Sequence, residues 1–97
     1  MKFTNDANSN FTSFRGSVFT TYDKLVQVFG NPDFGPDDTD ADKVTCEWKL
    51  QFEDGTVATI YDWKTGSTPF YEYEWHIGGK SAEAVDRVLD VLYAVEH

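Results

Sequence analysis

Residues 43–63 read KVTCEWKLQFEDGTVATIYDW, and the fold class follows from how this stretch bends. Val44, Cys46, Trp48, Leu50 and Phe52 alternate with Thr45, Glu47, Lys49 and Gln51, the period of a half-buried strand. Asp54-Gly55 supplies the positive φ angles of a two-residue type I′ turn. A turn of that length pairs Phe52 with Val57, Leu50 with Thr59, Trp48 with Tyr61 and Cys46 with Trp63. One face then carries Trp48, Tyr61 and Trp63 as core. The other carries Glu47, Lys49, Ala58, Ile60 and Asp62, too acidic to be buried. A slip of one residue would exchange these faces, so register is the decisive property of the hairpin.

Outward from the hairpin the pattern stays legible. Phe14 to Phe19 reads as a first strand, with Gly16 at a bulge or a close backbone approach. Thr20 or Thr21 caps a helix on which Tyr22, Leu25, Val26 and Phe29 share one side. Gly30 follows as the residue that ends it, and Pro32 forbids continuation. After the hairpin, Phe70 to Ile77 alternates again, with Tyr71, Tyr73, Trp75 and Ile77 on one side and Phe70, Glu72, Glu74 and His76 on the other. Ser81 caps a second helix from Ala82 to about Val95, striped with Val85, Val88, Leu89, Leu92 and Val95. The order β-α-β-β-β-α predicts an α+β two-layer sandwich: an antiparallel four-stranded sheet with two helices on one face. Residues 1–12 are polar and aperiodic, which predicts a flexible arm ahead of a single domain, 13–97.

Seventeen acidic against eight basic residues give a formal charge of −9 over 97 residues. That surface repels nucleic acid and anionic membranes and favours a basic protein partner. No apolar run is long enough to span a bilayer. The single cysteine permits no internal disulfide, and the N-terminal residues lack the apolar core of a secretion signal, so a cytoplasmic location is expected.

Candidate chemistry gathers at three places. Gly78-Gly79-Lys80-Ser81 opens the second helix, where free N–H groups and the helix dipole favour an anion; Arg15 and Thr21 beside the first helix offer a second contact. The same four residues also make an ordinary strand-to-helix turn, and the spacing is not that of a Walker A loop. Tyr61, Trp63, Lys64, Trp75 and His76 place rings, an ammonium and an imidazole on two strands, where a nucleobase can stack. Against that, rings at strand period are usually core, which is the reading for Trp48 and Trp63, with Tyr61 and Trp75 partly exposed. Asp37, Asp38, Asp40 and Asp42 form an acidic run that begins like a calcium loop. It fails at Lys43, where glycine belongs, and at Lys49, where the bidentate glutamate belongs, so no metal is expected. His76 beside Glu72 and Glu74 is a thin basis for catalysis, and Cys46 points inward; the expectation is no enzyme and no cofactor. Ala58 and Ile60 on the polar face, with a free sheet edge, predict a homodimer or higher oligomer.

The strings TTYDKLVQVFGNP, DGTVATIYDWK and WHIGGKS, within residues 16–90, resemble a family of small acidic proteins of unassigned role encoded by bacteriophages. The resemblance implies an accessory protein acting in the host bacterial cytoplasm and carries over no catalytic residue. Two functions are therefore expected. The first is a non-catalytic protein that counteracts host defence by sequestering a small anionic, nucleotide-type ligand. The alternative is an acidic inhibitor that binds a basic host protein by imitating nucleic-acid charge, with Asp37, Asp38, Asp40 and Asp42 as its partner-binding residues.

Overall fold

The computed structural model describes residues 3–4, 12–33, 46–63 and 71–94. The protein is α+β, with an open antiparallel sheet of five strands and two helices among these residues. In chain order the elements are β1 (Phe3–Thr4), β2 (Ser13–Thr20), α1 (Tyr22–Phe29), β3 (Glu47–Phe52), β4 (Val57–Tyr61), β5 (Tyr73–Gly79) and α2 (Glu83–Ala94). The spatial order is β1-β3-β4-β5-β2, every neighbour antiparallel. One strand more is present than expected. Phe3–Thr4, which reads as part of an arm, pairs with Phe52 and Gln51, and the Phe3 ring packs against Phe29 and Phe52 at centroid distances of 5.3 and 6.1 Å. No helix of the described residues is long and apolar enough to cross a membrane.

Helix α1 forms as its punctuation predicts. The Thr21 hydroxyl accepts the Lys24 N–H at 3.1 Å, and Gly30, at φ 84°, returns its own N–H to the Val26 carbonyl at 2.9 Å. Two buried tryptophans then hold its ends. Trp75 Nε1 donates to the Thr20 carbonyl just before the helix, and Trp48 Nε1 donates to the Gly30 carbonyl just after it. Both indoles are fully buried and meet edge to face at 5.7 Å, so each large ring enters the core with its one polar atom satisfied.

The hairpin is where expectation and structure part. Gln51 faces Val57, Leu50 faces Ala58, Trp48 faces Ile60 and Glu47 faces Tyr61. The connection thus uses three residues, Glu53, Asp54 and Gly55. Gly55, at φ 91°, donates its N–H to the Phe52 carbonyl, and Phe52 N–H bonds the Thr56 carbonyl. A three-residue loop ending in a left-handed glycine is the next commonest hairpin solution after the two-residue turn. Asp54 reinforces it by accepting the Thr56 N–H at 3.0 Å and Arg87 Nε of α2 at 2.7 Å. The Arg87 bond, then that to Thr56, holds the exposed Asp54 carboxyl down to about 2.

That one-residue offset inverts β4. Ala58, Ile60 and Asp62 turn inward, while Thr59, Tyr61 and Trp63 turn to the far face. In this register Ala58 and Ile60 bring aliphatic atoms to Leu50 and Trp48, while Thr59 on the far face and Asp62 on the near one are buried as well. Ala58 and Ile60 join Val18, Leu25, Phe29, Trp75, Ile77, Ala84, Val88 and Leu92 in one core. Asp62, expected on the exposed acidic face, is fully buried and accepts the Cys46 N–H at 3.2 Å, closing the open end of the hairpin. Ala58 and Ile60 are therefore spent on the core and provide no surface for self-association.

Candidate functional site

Inversion of β4 assembles a site that the expected register would have hidden. On the sheet face turned away from the core, side chains fall in rows across the strands. Glu47, Tyr61, His76 and Ser17 make the central row. Lys49, Thr59, Gly78 and Phe14 make the row on one side. Glu74 and Phe19 pair on the other side, with Trp63 two residues beyond Tyr61.

His76 is the hub. Tyr61 stacks on its imidazole at 5.5 Å with an 18° interplanar angle, Phe14 leans on it at 5.3 Å and Trp63 at 6.5 Å. Tyr61 and Trp63 also meet edge-on at 6.4 Å. These four side chains line a recess of about 290 Å³. Phe14 and Trp63 are 58% and 41% exposed, so the rings are presented rather than packed away. Trp63 is held by its own N–H, which donates to Tyr73 Oη at 3.2 Å. His76 Nδ1 is shut off from solvent without a hydrogen-bond partner among the described residues. Leaving such an atom unpaired costs about 1–3 kcal/mol.

Glycine shapes the floor. A Cβ at Gly78 would lie 2.6 Å from Thr59 Oγ1 and 3.4 Å from Tyr61 Cε1, so its absence lets the Tyr61 ring lie low against the sheet. The bulge between Phe14 and Gly16 keeps Phe14 on the same face as Ser17 and Phe19. Gly16 itself meets Val85, where a Cβ would lie 2.9 Å from Cγ2.

The carboxylates of this face have distinct environments. Glu47 is pushed up from the ordinary carboxylate range, first by burial, with Lys49 opposing and Asp33 adding to the rise. Asp33 is close because it covers the edge of β3: its N–H donates to the Glu47 carbonyl, and its carboxylate accepts the Lys49 N–H at 2.6 Å. Burial, then the Glu47 charge, raises the Tyr61 phenol. Glu74 accepts the Ser17 hydroxyl at 3.0 Å. Because folding raises the Glu47 pKa, its stabilisation is complete below the unfolded value and is lost as pH rises through the folded one. Glu47→Gln should accordingly be more stable than the parent at pH 7, with the gap closing by pH 4 in urea melts. A parent more stable than the variant at pH 7 would contradict this.

The other candidates take structural places. Gly78 and Gly79 are buried residues of β5, not the free loop of an anion cradle, and a Cβ at Gly79 would collide with that of Ala84. Arg15 is committed to backbone: Nε donates to the Gly79 carbonyl at 3.1 Å and Nη2 to the Lys80 carbonyl at 3.2 Å. Lys80 is exposed and Ser81 half-buried, and the first turn of α2 already carries Glu83 and Asp86, which answer the helix dipole. Thr21 caps α1. Trp75 is core rather than partly exposed, and Trp63 is exposed rather than core. Of the proposed ligand residues, the structure brings together Tyr61, Trp63 and His76. Lys64 and the run Asp37, Asp38, Asp40 and Asp42 lie outside the described residues.

Trp63 and the helix turn do not converge. Gly79 faces Ala58, and Trp63 lies five residues further along the chain, roughly 17 Å at about 3.4 Å per residue. Sequence reasoning missed Phe14 and Glu47 as neighbours of the site. The signal for Phe14 was available: an aromatic on a strand broken by a glycine, opposite a second glycine that leaves it room. Comparison of the chain with protein-family models, with curated proteins and with solved structures finds no match.

Proposed function

We propose that the chain is a non-catalytic binding protein that holds a small nucleotide-type ligand by its ring in the recess of Phe14, Tyr61, Trp63 and His76. The observation that carries this reading is the gathering of four rings, from β2, β4, β5 and the residues just beyond β4, on the face away from the core, two of them well exposed. Exposed apolar groups clustered in this way mark binding surfaces. Stacking of a base on such rings contributes about 1–3 kcal/mol. A recess of about 290 Å³ stands at the small end of the roughly 300–1,000 Å³ range of ligand sites, which suits one ring system. Recognition thus passes from the phosphate, expected at the GGKS turn, to the base.

Capture without conversion suits the side chains present. Cys46 is buried and His76 Nδ1 is shut off from solvent, so neither atom is presented as a nucleophile. Set beside the resemblance to small bacteriophage proteins, such capture would take a nucleotide signal of host defence out of circulation in the bacterial cytoplasm.

Trp63 is the exposed one of the three tryptophans, so its fluorescence should report occupancy. Titration with nucleosides should give a saturable change, and Trp63→Ala, followed by isothermal titration calorimetry because the reporter is gone, should weaken binding about tenfold without lowering the melting temperature. No saturable change with any nucleoside would end this reading. Phe19 favours the second reading, an acidic inhibitor of a basic host protein. It is 61% exposed beyond the recess, where a single ring has no use for it. Phe19→Ser should leave nucleoside affinity unchanged but would abolish such a protein complex.

A further inference from the structure

We infer that the ring accepted by this recess is amino-substituted and weakly basic, as adenine and cytosine are, and that the site does not recruit phosphate; this rests on the ring-binding reading above. Two carboxylates border the rings. Glu47 sits directly across from Tyr61, and Glu74 is two residues from His76 on the same face of β5. An ionised carboxylate only accepts hydrogen bonds, so it pairs with an exocyclic amino group or a protonated ring nitrogen and opposes a carbonyl oxygen. Glu47 has the stronger need of such a donor. Its burial outweighs the opposing charge of Lys49, and Asp33 at the edge of β3 adds a smaller negative contribution. A donor arriving with the ligand would relieve that position, whereas a phosphate would add to the repulsion.

The cations nearby are placed for other work. Arg15 is bound to the carbonyls of Gly79 and Lys80. Lys49 lies one row away from the Tyr61–His76 stack, and its charge acts on Glu47. The recess is therefore a ring site with an acidic border, and the sign of that border selects the ligand.

The test is a fluorescence titration of the full chain with adenosine, cytidine, uridine, inosine and AMP, repeated with Glu47→Gln. Adenosine and cytidine should bind about tenfold or more tighter than uridine and inosine, as a site built around hydrogen bonding to one partner type requires. AMP should bind no tighter than adenosine, and Glu47→Gln should shrink the preference while still binding nucleosides. Equal affinity for all four nucleosides, or AMP about tenfold tighter than adenosine, would overturn the inference and leave ring binding standing. Failure of every nucleoside to bind would overturn both.

Discussion

Ile60→Lys should leave the chain largely unfolded, whereas Tyr61→Lys, one residue along, should leave it folded and without its ring site. Ile60 is fully buried between Trp48 and Ile77. An ammonium there has no partner, and such substitutions belong to the class that costs more than about 4 kcal/mol. Domains of this size hold only about 5–15 kcal/mol in all. At position 61 the side chain is half-exposed and faces Glu47, so a lysine finds a carboxylate instead of a core. Its stability cost should stay within about 1 kcal/mol, while the stack on His76 disappears and nucleoside binding with it. Circular dichroism melts of the two variants would separate them at once. A two-residue turn predicts the reverse outcome, with position 61 intolerant and position 60 benign.

Gly79→Ala is the second large effect. The new methyl group would collide with the Ala84 Cβ and lie 3.0 Å from the Val57 carbonyl and 3.2 Å from that of Ser81. None of these is the free end of a flexible side chain, so the helix or the strand must move. Overpacking of this kind costs about 1–3 kcal/mol or more. At about 4–8 °C per kcal/mol for a domain of this length, a loss of about 2 kcal/mol lowers the melting temperature by roughly 8–16 °C. Adding Ala84→Gly should recover part of the loss, because the two positions share one space. An unchanged melting temperature, with weakened binding of inorganic phosphate, would instead restore the anion-cradle reading of GGKS.

Much of this fold is legible in the chain because local chemistry and burial agree there. Helix α1 carries its cap, its apolar side and its terminating glycine in sequence, and each takes its expected place. The alternation of Trp48, Leu50 and Phe52 likewise reports their burial correctly. Register of the hairpin was not legible, for a physical reason. Asp-Gly serves both a two-residue turn and the last two positions of a three-residue loop. The strand that follows is apolar on both faces, with Val57, Tyr61 and Trp63 on one and Ala58 and Ile60 on the other, so alternation alone cannot choose. Ring size drew Tyr61 and Trp63 toward the core, although aliphatic Ala58 and Ile60 are what Leu50 and Trp48 can pack against. The site inherits that difficulty. Tyr61, Trp63 and His76 are visible as ring residues in the sequence, but their common face with Phe14 exists only in the offset register. Strand β1 is two residues long, too short for any periodic signal.

The most direct measurement is the set of nuclear Overhauser contacts of the Tyr61 ring. The three-residue hairpin loop places that ring on His76 and Trp63, away from the core, so its ring protons should show cross-peaks to both. Ile60, and not Tyr61, should show them to Trp48. Cross-peaks joining Tyr61 to Trp48 and Thr59 to Leu50 would contradict this register, and the ring site would fall with it.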